Sequence, residues 1–113
     1  MGLLKTIYAE NGVPLSYHRV VSVDNITNIS TNIEVASYIN EEQRNIEHNY
    51  QLVQIKSQNE EELTTEEQEM LDNGINVYTN TKYYNLPYDK LMNVDTAYEY
   101  LKTLDEFKGS QNV

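Results

Sequence analysis

The chain has 113 residues, of which 39% are hydrophobic, with no Trp, a single Phe and 10 Tyr; this is the size of one domain with a modest core. Eight basic residues stand against 18 acidic ones, giving a net charge of −10, and Lys5, Arg19, Arg44, Lys56, Lys82, Lys90, Lys102 and Lys108 are scattered singly, which argues against nucleic acid and against anionic membranes as partners. The absence of Cys removes disulfide frameworks and thiolate metal sites.

Residues 3–10 form a short apolar run ending in Asn11-Gly12, a pair that tolerates positive φ and so predicts a two-residue hairpin. From Val13 the pattern alternates. Val13, Leu15, Tyr17, Arg19, Val21 and Val23 share one face of a second strand, with Ser16, His18, Val20, Ser22 and Asp24 on the other. Pro14 sits at the strand start, where a missing N–H is tolerated. A turn around residues 25–27 leads to a third strand with Ile29, Thr31, Ile33 and Val35 on one side. Centring that turn near Ile26 puts His18 opposite Glu34 on the polar face, as a cross-strand charge pair.

The middle of the chain, residues 40–74, is polar and reads as a helical excursion. Asn40 with Gln43 resembles a capping box opening a helix over 41–50, and "YQLVQIKS" continues it or forms a short strand. Thr64 with Glu67 caps a second helix that Gly74 ends. Alternation returns in "INVYTNTKYYNLPYD", a fourth strand closed by Pro87. "NVDTAYEYLKTLDEF" then reads as a C-terminal helix capped by Asn93 or Asp95, with Val94, Ala97, Tyr98, Leu101, Leu104 and Phe107 on its buried stripe. Residues 109–113 read as a flexible tail. The fold class is therefore α+β in one domain over 1–113: an antiparallel sheet of about four strands, a C-terminal helix on one face, and the polar excursion.

No constellation points to catalysis. His18 and Arg19 are neighbours on a strand and point to opposite faces, so they cannot act on one substrate atom. There is no Gly-x-Ser-x-Gly elbow, no HExxH, no phosphate-cradling glycine loop and no calcium-loop spacing. The expectation is a non-enzyme without metal or cofactor. The N-terminus lacks a signal-peptide run and no stretch is long enough to span a bilayer, so a soluble, intracellularly made protein is expected. Tyrosine gives large contact area at low entropic cost. Tyr84, Tyr88 and Tyr100, with Arg19, are the candidate interface residues, Tyr84 and Tyr100 being expected to face outward.

Three stretches, "YHRVVSV" at 17–23, "IEVASYINEEQR" at 33–44 and the segment from "YYNLPYDKLMNV" to the end at 83–113, resemble small proteins encoded in the tail and late structural modules of phages and prophages of low-GC Gram-positive bacteria. The resemblance covers about half of the chain and contains no catalytic motif. It implies a virion structural protein of the tail, in the baseplate or tail-fibre apparatus. Such a protein acts as a homo-oligomer among other phage tail proteins and could contact a host surface receptor. Two other readings stand beside it: an acidic inhibitor whose Glu60, Glu61, Glu62, Glu66, Glu67, Glu69 and Asp72 mimic phosphates, and a small carbohydrate-binding module that uses its tyrosines.

Overall fold

The computed structural model describes residues 2–113. In chain order it contains β1 (Leu3–Tyr8), β2 (Pro14–Ile26), β3 (Ser30–Tyr38), α1 (Glu41–Gln58), α2 (Thr65–Asn73), β4 (Thr79–Pro87), α3 (Val94–Lys102), a 3-10 turn (Asp105–Phe107) and β5 (Gln111–Asn112). The strands form one antiparallel sheet in the order β4-β3-β2-β1-β5. The α+β class, the central meander and the C-terminal helix are as expected. The residues read as a flexible tail instead supply the fifth strand: Gln111 and Asn112 pair with Leu4 and Leu3, and Gly2 and Val113 exchange backbone hydrogen bonds of 2.9 and 3.0 Å.

Turn chemistry explains the first hairpin, and it departs from the two-residue form. The Gly12 N–H donates to the Ala9 carbonyl at 2.8 Å, and Gly12 at φ 85° takes the left-handed position that a side chain would strain. Since Asn11 is not in that region, the turn runs through Glu10 and Asn11 and the loop is longer. The second turn closes with the Ile29 N–H on the Ile26 carbonyl, with Asn28 at φ 60°, a conformation Asn tolerates. Its centre is therefore two residues beyond Ile26.

A bulge then changes the expected faces of β2, but only beyond Val20. Val20 pairs with Val35 but Ser22 pairs with Glu34, leaving Val21 as the extra residue. Before the bulge His18 and Val20 face α3; after it Val23 does. Tyr17 and Arg19 face the other way, towards the start of α1. The core is consequently split by the sheet. One part gathers Leu3, Val20, Ile33, Val35, Ala97, Tyr98, Leu101 and Phe107. The smaller part holds Tyr17, Ala36 and Tyr38. Gly2 lies so close to this second cluster that a Cβ there would meet the Tyr17 ring at 2.5 Å.

The bulge also explains how α3 is anchored. The Val20 N–H donates to the Tyr98 hydroxyl at 2.9 Å, so a side chain from the helix satisfies a buried backbone donor beside the interruption in the ladder. α3 is shorter than its pattern suggested. Asn93 and Thr96 form its capping box, Ala97, Tyr98 and Leu101 are buried, and Val94 is 47% exposed. Phe107 reaches the core from the following 3-10 turn.

The excursion is a helical hairpin. Asn40 caps α1, accepting from the Gln43 N–H, and "YQLVQIKS" continues that helix rather than forming a strand. Thr64 and Glu67 make the reciprocal box on α2, and Gly74 ends it at φ 72°. Lys56 on α1 holds Glu67 on α2 at 2.8 Å. β4 begins only at Thr79, so residues 75–78 connect rather than pair.

Candidate functional site

A groove of about 540 Å³ opens on the α3 face of the sheet. Its floor includes His18, Val35 and Ser37, and its walls come from the first turn (Tyr8 to Asn11), from Asn80 to Lys82 and Tyr84 on β4, and from Glu106 and Phe107. Sequence alternation placed His18 on a polar face opposite Glu34. It is in fact 1% exposed and opposite Ser37, while Glu34 accepts from the Ser22 hydroxyl at 3.0 Å. The shifted turn centre and the bulge together account for the error.

Both ring nitrogens of His18 are engaged. Nε2 lies 2.7 Å from the Lys5 carbonyl, which can only accept, so Nε2 carries the proton. Nδ1 then accepts from the Ser37 hydroxyl at 2.7 Å. Phe107 meets the ring edge-on at 5.2 Å. Burial lowers the imidazole's pKa below its ordinary 6.5, against the opposing pull of the Lys5 carbonyl and the Glu106 charge. A serine hydroxyl on an imidazole is half of a nucleophilic pair. Here, however, the ring is desolvated and backed by a neutral carbonyl, and that environment disfavours the imidazolium which proton abstraction from Ser37 would create.

Lys82, Tyr84 and Glu106 in the groove are paired with one another. Glu106 accepts from the Tyr84 hydroxyl and from Lys82 at 3.0 Å, and the Lys82 ammonium lies 5.2 Å from the centre of the Tyr84 ring. Burial works to raise the Glu106 pKa, but the hydrogen bonds from Tyr84 and Lys82, with the ammonium's charge, bring it below the usual carboxylate value. The same environment, burial first and the Glu106 bond second, pushes the Tyr84 phenol far above its ordinary 10.0.

The candidate interface residues are not brought together. Arg19 lies on the face opposite the groove, donating through Nε to the Tyr38 hydroxyl at 3.0 Å. That hydroxyl in turn donates to Glu47 at 2.6 Å, and Arg44 reaches the same carboxylate at 2.8 Å. Arg19 thus helps fasten α1 to the sheet. Tyr84, expected to face outward, turns towards the core with its hydroxyl on Glu106, and Tyr100 also packs against the larger cluster. Tyr88 is half-buried in the loop after β4. The most exposed tyrosines are Tyr8 at 70% and Tyr83 at 69%. Strand parity carried the signal for Tyr83, since adjacent residues 83 and 84 must take opposite faces.

The acidic residues weighed as a phosphate mimic do not form one row. Glu66, Glu67, Glu69 and Asp72 project around α2, and Glu67 is already bonded by Lys56. Among the described residues no three His, Asp or Glu side chains gather as a metal would need, and no helix is long and apolar enough to cross a membrane. In comparisons with known proteins, no family model, no curated protein and no solved structure matches the chain.

Proposed function

We propose that the chain is a non-catalytic assembly subunit, a structural protein of a phage tail in the baseplate or fibre apparatus, which works by holding surfaces against neighbouring subunits. The observation that carries this reading is β4, a nine-residue strand that ends the sheet and keeps most of its residues exposed. An uncovered strand of that length offers backbone donors and acceptors to another chain. The groove chemistry supports the same reading, because His18, Ser37, Tyr84, Lys82 and Glu106 spend their polar atoms on each other and on the Lys5 carbonyl.

The resemblance of the first and last thirds of the chain to tail-module proteins gives the setting. The test is fractionation of a lysate from cells producing the phage. The protein should sediment with assembled tails and remain with them in moderate salt. Recovery of the whole population as free monomer, with none on particles, would overturn the proposal.

A further inference from the structure

The geometry points to β4 as a self-complementary seam, through which two copies of this chain join their sheets about a two-fold axis at Tyr83. This deepens the assembly role and rests on it. The register between β3 and β4 is unbroken from Ser30↔Pro87 to Tyr38↔Thr79. Alternate residues of β4 spend their N–H and C=O groups on β3, and those between them turn theirs to the open side. β4 ends the sheet, so no strand receives them.

The occupant that fits is a second β4, run antiparallel. With Tyr83 on the axis, Tyr83 of each copy stands opposite its counterpart, with Lys82 opposite Tyr84 and Thr81 opposite Asn85 of the other copy, so that open-side groups of one copy face open-side groups of the other. Side chains agree with this register on both faces. Tyr83, 69% exposed and without a packing role in its own fold, meets Tyr83 of the other copy; aromatic pairs across strands are favourable. On the groove face Lys82 lands beside Tyr84 of the other copy, and its charge is already met by Glu106 at 3.0 Å. β4 contains no acidic residue, although the whole chain carries −10, so the seam avoids the repulsion that most of this surface would impose. Isologous contacts of this kind close after two copies.

The experiment is light scattering of the purified full chain across micromolar concentrations, with three variants. Wild type should show twice the monomer mass. Tyr83→Glu puts two like charges face to face on the axis at a position 69% exposed, so it should weaken the dimer at least ten-fold while the far-ultraviolet circular dichroism is kept. Tyr83→Cys, in a chain with no other cysteine, should form an interchain disulfide on mild oxidation, whereas Glu62→Cys on the helical hairpin should not. A wild-type monomer at 100 µM, or cross-linking no faster at position 83 than at 62, overturns the seam. If such a monomer still sediments with tails, the assembly role stands and only the partner is wrong. If, in addition, Tyr83→Glu abolishes sedimentation, the edge serves a strand from a different tail protein.

Discussion

Leu101 on α3 is fully buried against the sheet, whereas α2 buries no residue at all and α1 only Val53. The sheet half is held by apolar area removed from water across elements far apart in sequence. The helical hairpin is held by local chemistry: caps at Asn40 and Thr64, and the Lys56–Glu67 pair. The molecule's radius of gyration, 16.3 Å, is well above the ~13 Å of a compact chain of about this length, as a projecting arm requires. One rigid platform thus carries an arm whose stability is largely its own. Glu47, tied to Tyr38 and Arg44, is the principal polar fastening between them.

The comparison is broken most severely from the platform side. Leu101→Ala removes a side chain with 0% exposure from the centre of the larger cluster, and the loss should be about 2–5 kcal/mol, read as a fall in the urea midpoint for the whole protein. Next comes Tyr98→Phe, which keeps the ring but takes the hydroxyl from the buried Val20 N–H. An unsatisfied buried donor costs roughly 1–3 kcal/mol. A change below a few tenths would mean that the bulge does not need α3 to complete it.

His18 makes the platform pH-sensitive. Its folded pKa lies below the unfolded 6.5, so on acidification the unfolded chain takes up a proton before the folded one. Stability from this group is complete above about 6.5 and is lost as pH falls below it, with a slope of up to ~1.4 kcal/mol per pH unit until the folded ring titrates. Unfolding at a series of pH values from 7.5 to 5 should show this slope, and His18→Gln should flatten it. An unchanged slope in that variant would mean that other groups produce the acid sensitivity.

The two regions also differed in how far their sequences could be read. Caps are local: Asn40, Thr64, Gly74 and Asn93 each act within a few residues, and all four stand where their spacing put them. The α3 stripe was legible for the same reason, through Ala97, Tyr98 and Leu101. The bulge at Val21 was not. It changes which residues of one strand oppose another, and nothing in "RVVSV" distinguishes a bulged valine from a paired one. The turn was misplaced too: its centre lies two residues beyond Ile26, and that shift, offset in part by the bulge, puts His18 opposite Ser37 and not Glu34. The groove was hidden likewise, because it joins a strand, a turn and a 3-10 segment separated by most of the chain. β5 was missed because a two-residue strand has no periodicity to detect.

The gentlest test sharpens the boundary between arm and platform. Thr64→Ala removes the hydroxyl that accepts from the Glu67 N–H at 3.1 Å, and with it half of the α2 capping box. The expected cost is about 1 kcal/mol. What matters is where it falls. Because α2 is held by its cap and by Lys56 rather than by buried area, hydrogen exchange should accelerate in α2 while the β2 and β3 amides keep their protection. If the sheet amides lost protection by the same factor, arm and platform would be one cooperative unit. The arm would then have to draw its stability through the Glu47 fastening, and the distinction between locally and globally held halves would fail.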